Sequence, residues 1–252
     1  MVRFGGLRIA GLSGIFKHYH FEQGFHERIP YTDDTKRSIY HIREYDVHKL
    51  SLLHSPNIFM SHDWPTNIHR YGDYQTLLRE KPFFRDDIER GGLGSPPAEM
   101  LLKKLRPAYW FSAHLHVKFA AVVNHDVAEE KKEEEGEINL EGLDEEQSRE
   151  MSPGKRAISS SATNPPAKRT KGDAEMISDG NPTTRFLALD KCLPRRDFLQ
   201  ILDIGQDPRN TYDEFLSYDP EWLALTRTFH PYLSVGLRPK ELPPDEELLK
   251  YI

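Results

Sequence analysis

The sequence predicts an α/β fold, because short apolar runs alternate with helix-like segments through its first half. The strand-like runs are residues 7–12, 57–60, 109–111 and 118–123. The helix-like segments are residues 46–53, 83–90 and 96–105. Buried strands that alternate with helices are typical of a layered α/β domain, which we expect over residues 1–126.

Local patterns support the individual elements. Val47, Leu50 and Leu53 recur at the spacing of one helix face. Pro96 suits the first turn of the helix that it opens, where the backbone N–H groups have no partner within the helix. Residues 13–30 form a long loop rich in aromatic and histidine side chains, and a loop of this length is expected to serve a function.

The middle of the chain has a different composition. Residues 127–150 are strongly acidic, and residues 151–172 are basic with Ser, Thr and Pro between the charges. Because this stretch has too little apolar mass to offset the entropy of ordering, we expect residues 127–182 to be a disordered linker. Apolar residues return in 183–252, which we expect to be a small C-terminal domain packed on the first.

Composition also excludes some classes of protein. The single cysteine, Cys192, rules out an intrachain disulfide and fits a reducing compartment. No run of about 18 apolar residues predicts a membrane span, and residues 1–6 lack the pattern of a signal peptide. The net charge of −6 leaves room for a local basic patch. We therefore expect a cytosolic or nuclear protein that does not bind membranes.

Three histidines follow two of the predicted strands. His62 comes just after one apolar run, and His114 and His116 come just after another. Ligands bind beyond the carboxyl ends of strands in α/β sheets, and neutral imidazole is a ligand for Zn, Fe, Mn or Ni. The pattern favours metal binding, although any one of these residues alone is also explained as a hydrogen-bonded structural histidine.

Two further features of the sequence, Asp63 and an aromatic run, each allow two interpretations. Asp63 is explained either as a carboxylate that orients an imidazole from behind the metal site or as a turn residue. The run Phe16–Phe21 is explained either as an RNA-binding segment or as a loop that buries its aromatics. The six residues of this run are Phe16, Lys17, His18, Tyr19, His20 and Phe21.

Two basic clusters lie in the predicted linker. Lys155 and Arg156 form the first, and residues 168–171 contain the second. Their spacing resembles a bipartite nuclear import signal. This pattern favours the nucleus over the cytosol.

Four segments together resemble the lariat debranching enzymes of the metallophosphoesterase superfamily. They are Gly6–Phe16, Ser61–Pro65, Trp110–Ala121 and Phe186–Leu199. The resemblance implies a partial metallophosphoesterase-type αββα sandwich followed by a C-terminal debranching-enzyme domain. It also implies metal-assisted hydrolysis of the 2′–5′ phosphodiester at the branch point of intron RNA, and spliceosome-associated proteins as further partners.

The same resemblance assigns roles to individual residues. His62 and His114 would bind one divalent metal ion, and His116 would bind the other. Residues 16–31 match the region that contacts lariat RNA. The family site holds two ions among Fe²⁺, Zn²⁺ and Mn²⁺.

The sequence departs from the family in its first part. The family has a Cys-x-His-Gly element, a Gly-Asp element with a bridging aspartate, and a Gly-Asn-His-Glu element with the general acid; none occurs here. We therefore expect the C-terminal part of such an enzyme, as a fragment or a truncated product. We expect one metal ion or none, no general acid among the present residues, and a sheet edge and face left uncovered.

Two other functions stay open. The chain could be a non-catalytic module that binds RNA or the spliceosome, which the missing carboxylate favours. It could also be a phosphodiesterase of another specificity, which the histidine pattern alone allows but the loop argues against. The sequence does not fix the oligomeric state.

Overall fold

The computed structural model describes residues 1–125, 180–205 and 215–250. The strands among these residues are β1 (Val2–Phe4), β2 (Leu7–Leu12), β3 (Ile58–Ser61), β4 (Tyr109–Ser112), β5 (Phe119–Asn124), β6 (Thr183–Ala188) and β7 (Ser217–Tyr218). They form one mixed sheet in the order β5-β6-β4-β3-β2-β1-β7. The predicted α/β class is confirmed.

Helices connect and cover these strands. Those that the structure describes are α1 (His18–Phe21), α2 (Asp33–Ser38), α3 (Glu44–Ser51), α4 (Tyr74–Glu80), α5 (Phe84–Glu89), α6 (Pro96–Leu105), α7 (Pro220–Phe229) and α8 (Asp245–Leu249). Short 3₁₀ turns occur at Ile68–Tyr71 and His230–Tyr232. In α6 the predicted proline start is observed, and the Ser95 side chain caps it by accepting from the Ala98 N–H.

The centre of the sheet is parallel. β2, β3, β4 and β6 run in the same direction, whereas β5 and β1 are antiparallel to their neighbours. Consequently the carboxyl ends of four adjacent strands meet at one edge of the sheet. Ligands in α/β sheets bind at such an edge.

The hydrophobic core lies on one face of the sheet. Phe59, Trp110 and Phe186 are each almost fully buried there, together with helix residues such as Leu101 and Leu225. Aromatic stacking between Phe59 and Trp110, with ring centroids 4.1 Å apart, continues the packing from β3 to β4. The helices thus cover this face.

The opposite face carries apolar side chains that are partly exposed. Met60 and Val122 expose about half of their surfaces. In register, Met60 lies beside Phe111, which lies beside Leu187, so the apolar row crosses three strands. β2 is not the edge strand of the sheet, because β1 pairs with it and β7 pairs with β1.

The C-terminal part of the chain joins the same sheet. β6 lies between β4 and β5, and β7 pairs with β1 at the far edge. The sheet is therefore built from both predicted domains. Most of the predicted disordered linker, residues 127–182, lies outside the described residues.

A buried charge network holds the edge that contains β1. Asp219 has no exposed surface, caps α7, and accepts hydrogen bonds from Arg3 at 2.6 Å and Arg8 at 3.1 Å. Burial alone would raise the pKa of Asp219, but the hydrogen bonds from Arg8 and Arg3 lower it below its ordinary value. Among the described residues, no helix has the length and apolar character needed to cross a membrane.

Candidate functional site

The sequence-predicted histidines lie at the carboxyl edge of the parallel strands. His62 directly follows β3, and His114 and His116 follow β4, which is its parallel neighbour. Backbone hydrogen bonds fix the His62 position from both sides: its N–H donates to the Leu12 carbonyl at 3.3 Å, and its carbonyl accepts from Ala113 at 3.2 Å. The strand ends therefore bring two predicted residues, His62 and His114, side by side.

The two imidazoles are stacked. The ring centroids of His62 and His114 are 4.9 Å apart, and their planes differ by 20°. His62 is exposed and His114 is partly buried, so solvent and ligands reach both rings. This pair is the centre of what we call the strand-end site: His62, Asp63, His114 and His116.

Asp63 supports the pair from the protein interior. The residue is 6% exposed, and its Oδ1 lies 2.6 Å from His114 Nδ1. Because a carboxylate only accepts hydrogen bonds, the proton of His114 belongs on Nδ1, which leaves Nε2 as a lone-pair donor. A carboxylate behind a histidine in this way is the usual arrangement around metal-binding imidazoles.

The other Asp63 oxygen has a different partner. Oδ2 accepts a hydrogen bond of 3.0 Å from the backbone N–H of Phe16. Phe16 lies at the start of the aromatic loop, residues 13–30, so one carboxylate joins the loop to His114. The bond to His114 is the geometry that the orienting-carboxylate interpretation requires, and a role beside a metal ion stays a prediction.

Buried polar groups fix the backbone at Asp63. Its carbonyl accepts from Ser61 Oγ at 2.6 Å and from Ser112 Oγ at 3.3 Å. The indole N–H of Trp110 donates to both hydroxyls, at 2.9 and 3.1 Å. Trp64, fully buried, donates to the Ala113 carbonyl at 2.9 Å. The strand-end site therefore stands on a rigid base.

Backbone conformation is unusual at the end of β4. His114 has φ +52° and His116 has φ +51°, the left-handed region that side chains other than glycine seldom adopt. Such residues cost about 1–3 kcal/mol each and concentrate at functional sites. The turn presents both imidazoles at the sheet edge.

His116 lies in a positively charged neighbourhood. Its pKa is lowered by partial desolvation first, and then by the positive charges of Lys191 and Lys81, against which Asp190 acts weakly. Asp190 and Lys191 lie just beyond β6, the fourth strand to end at this edge. Sequence reasoning gave them no role, although an apolar run followed by Asp-Lys carries the same strand-end signal as His62.

The donor set suits a nitrogen-bound metal ion only in part. His62 and His114 offer two adjacent imidazoles, and the carboxylate behind His114 favours its Nε2 as a ligand. In the part of the chain that the structure describes, no group of three or more His, Cys, Asp or Glu side chains is placed to hold one ion. The two neighbouring imidazoles are thus only part of a ligand set for one ion.

The aromatic loop has a buried side and an exposed side. Phe16 and Phe21 contact each other edge to face at 5.5 Å and pack against the core. Lys17, His18 and Tyr19 are exposed, with 66% of Tyr19 accessible. Within the predicted RNA-binding run, these three are the residues free to touch a ligand.

His20, the remaining member of that run, is held by another histidine. Its Nδ1 lies 2.6 Å from Nδ1 of His41, so one ring donates and the other accepts. Burial first, and then the charges of His20 and Arg43, lower the pKa of His41 to about 4. A buried ion pair between Arg43 and Glu27, 2.5 Å apart, fastens the same part of the loop.

The C-terminal part of the chain also holds the aromatic loop. Gly24 donates to the Leu237 carbonyl at 3.0 Å, and Phe25 donates to the Ser234 carbonyl at 2.9 Å. The Arg28 guanidinium donates to the carbonyl of Val235 at 2.5 Å. The C-terminal part, which we expected to pack on the first domain, thus makes direct contact with the loop.

Comparison with known proteins agrees with these features. Residues 181–252 match the family model described as "Lariat debranching enzyme, C-terminal domain". A lariat debranching enzyme of Arabidopsis thaliana is 43% identical over 91% of this chain and 42% of its own length. The corresponding figures for the enzyme of Drosophila melanogaster are 45%, 93% and 41%, and for that of Schizosaccharomyces pombe 37%, 99% and 60%.

The fold and site together define an α/β protein with an imidazole–carboxylate site at the carboxyl ends of the parallel strands of a mixed sheet. The similarity extends over nearly the whole chain and includes this edge. The chain is therefore similar to lariat debranching enzymes, and its residues 181–252 correspond to their C-terminal domain. It spans between 31 and 60% of the length of the curated relatives it matches.

Proposed function

We propose that this chain serves RNA lariat debranching, the metal-dependent hydrolysis of the 2′–5′ phosphodiester at the intron branch point during mRNA processing. The observation that carries the proposal is the stacked pair His62–His114 with Asp63 behind His114. This pair stands beside an exposed loop in a chain related to lariat debranching enzymes. The substrate would be branched intron RNA.

The metal site would be built on Nε2 of His114 together with the ring of His62. Fe²⁺, Zn²⁺ and Mn²⁺ are all compatible with imidazole ligands, and His116 would face a second ion if one binds. A bound ion would polarise a phosphoryl oxygen and stabilise the charge that develops on it. Asp63 would hold the His114 ring in place throughout, because its carboxylate is buried and already hydrogen-bonded.

The RNA would be held by the exposed residues of the aromatic loop. Tyr19 offers a ring on which a base can stack, and Lys17 offers a cation for a phosphate. Lys81 and Lys191 would add positive charge beside His116, where a phosphodiester would approach. The loop is joined to the strand-end site, because the Phe16 N–H donates to the Asp63 carboxylate.

A non-catalytic RNA-binding role is the second candidate. It is favoured by one observation: among the described residues, no group of three or more His, Cys, Asp or Glu side chains is placed to hold a metal ion. In this case the loop and the C-terminal part would bind branched RNA without cleaving it. Spliceosome-associated proteins would be the further partners.

Two broader expectations join the proposal. We propose the metallophosphoesterase-type αββα arrangement, in support of which one sheet face is covered by helices and the other presents Met60, Phe111 and Val122. We also propose the nucleus as the location, on the two basic clusters near residues 155 and 168, which lie outside the described residues. Imaging a tagged chain with these clusters replaced by alanine tests the location.

The deciding experiment is a debranching assay. The purified chain is mixed with a synthetic 2′–5′ branched RNA, and Mn²⁺, Fe²⁺ or Zn²⁺ is supplied in turn. His114→Ala tests the site, and His54→Ala is the matched control because His54 precedes β3 and so lies at the opposite edge of the sheet. Metal-dependent cleavage that only His114→Ala abolishes supports catalysis. Binding of branched RNA without cleavage supports the second candidate. If the chain neither cleaves nor binds branched RNA, both candidate functions are overturned.

A further inference from the structure

One carboxylate connects two parts of the molecule that lie far apart in sequence. Asp63 Oδ1 is bonded to His114, 51 residues later, and Oδ2 is bonded to the N–H of Phe16, 47 residues earlier. Both partners belong to regions with separate tasks in the proposed function. Phe16 opens the exposed run of the loop, and His114 is the metal-binding imidazole.

The bridge is rigid at its centre. Asp63 is buried, and its backbone carbonyl accepts from two serine hydroxyls, which in turn accept from the Trp110 indole N–H. A side chain held in this way has little freedom to turn towards one partner without leaving the other. A displacement of Phe16 or of His114 therefore alters the hydrogen bond that the other residue makes with Asp63.

The loop is also anchored on the other side of Phe16. The Ile15 N–H donates to the Tyr40 carbonyl, and the Ile15 carbonyl accepts from Ile42, both at 3.1 Å. Residues 17–19 extend from this anchored point into solvent. The Asp63–Phe16 bond thus sets where the exposed run begins relative to the strand-end site.

We propose that Asp63 is a positioning residue that couples the aromatic loop to the His114 imidazole, so that ordering of one favours ordering of the other. This inference rests on the proposed function for the tasks of the two parts. A cation on His114 Nε2 would fix the position of the imidazole, and the fixed ring would hold the Asp63 carboxylate in the orientation that accepts from the Phe16 N–H. A cation at His114 would therefore help to order the start of the loop.

The metal-free test uses amide hydrogen exchange at Phe16, measured by NMR on the full chain. His114→Ala removes one partner of the carboxylate, and we expect exchange at Phe16 to quicken by about fivefold, the effect of weakening one buried hydrogen bond. His116→Ala is the matched control, since His116 lies on the same turn and has no bond to Asp63 in the described structure. Equal exchange at Phe16 in His114→Ala and wild type would overturn the coupling.

Asp63→Asn gives a signature that a purely structural role would not produce. An asparagine can keep the Phe16 bond through its oxygen while its NH₂ donates to His114 Nδ1, which moves the imidazole proton to Nε2. We expect the ¹⁵N chemical shifts of the His114 ring to report this change of tautomer. A cooperative thermal melt of the variant would show that it is folded. An unchanged tautomer would count against the bridge.

Zn²⁺ alone is the probe for the metal arm. If Zn²⁺ shifts the His114 resonances, it should also slow amide exchange at Phe16 in the wild type. In Asp63→Asn, Zn²⁺ should leave the exchange rate at Phe16 unchanged. Equal slowing in the two proteins would overturn the inference. If Zn²⁺ moves no His62 or His114 resonance, the metal part of the proposed function fails, and the His114→Ala comparison alone decides the coupling.

Discussion

Gly24 of the aromatic loop lies directly against the backbone carbonyl of Gly236 in the C-terminal part. A Cβ at position 24 would overlap this carbonyl and would lie 2.8 Å from Ser234 Oγ. Because one of the obstacles is backbone, the loop and the C-terminal segment would have to separate. The close approach explains why glycine stands at a buried position within an otherwise bulky loop.

Gly24→Ala is therefore expected to loosen the loop. We expect a loss of about 1–3 kcal/mol in the free energy of unfolding, measured in urea, and weaker binding of branched RNA. Gly205→Ala is the control, because nothing lies within 4 Å of a Cβ there. Equal stability of the two variants would show that the contact does not constrain the loop.

The stability of the protein should decrease in mild acid because of His41. Its pKa is about 4 in the folded state against 6.5 ordinarily, so between these values the unfolded chain binds a proton that the folded chain excludes. The free energy of unfolding is fully retained above pH 6.5 and falls as the pH approaches 4. His20, Arg43 and Lys17 are the cationic neighbours, and Glu27 opposes them.

His41→Asn checks this prediction. Asparagine retains a hydrogen-bonding atom near the Nδ1 position but does not titrate. Urea unfolding at about pH 7 and about pH 5 should therefore show a smaller drop in the variant than in wild type. Identical drops would place the acid sensitivity elsewhere.

The buried pair Arg43–Glu27 should contribute far more than an exposed pair. Both side chains are nearly inaccessible, with 1% and 3% exposed. Arg43→Met would leave the Glu27 carboxylate buried without its partner, and we expect a loss of about 3–5 kcal/mol by chemical denaturation. Lys36→Met breaks the exposed pair with Asp33 and should cost less than about 1 kcal/mol. Comparable losses in the two variants would contradict this ranking.

Lys191 should influence both His116 and RNA. Lys191→Ala removes a positive charge from beside His116, so the pKa of His116 should rise towards its ordinary value in an NMR titration. Affinity for branched RNA should also fall, with the salt dependence weakened by about one phosphate contact. Lys103→Ala, on α6 and paired with Glu99, is the matched control and should change neither quantity. If the pKa of His116 is the same in Lys191→Ala as in the wild type, Lys191 does not act on the strand-end site.

Local patterns in the sequence predicted much of the fold. The strand at 7–12 is observed as Leu7–Leu12, and the helix at 96–105 as Pro96–Leu105. A short apolar run predicted the strand, and the proline at the first turn marked the start of the helix. These signals did not predict β1, β7, α2 or α4, which are short or held by polar caps, such as Thr32 with Thr35 in α2.

The candidate site was only partly predictable, because several of its contacts join residues that lie far apart in sequence. Parallel strand ends brought His62 and His114 together, as their positions after apolar runs implied. The Asp63–Phe16 bond, the His20–His41 pair and the contact at Gly24 depend on residues far apart in sequence. No single-sequence pattern records such contacts. The assignment of His116 to a second metal stays a prediction.

The position of β6 has a consequence for how the chain is made. β5 is an outer strand whose partner is β6, and Asn124 and Thr183, which pair with each other, are 59 residues apart. During synthesis, β5 can contact the earlier residue Gly72 through an isolated bridge at Ala121, but its partner strand is absent until residues 183–188 have left the ribosome. Residues 183–188 are therefore the last part of this end of the sheet to be made, and without them β5 would lack its partner strand.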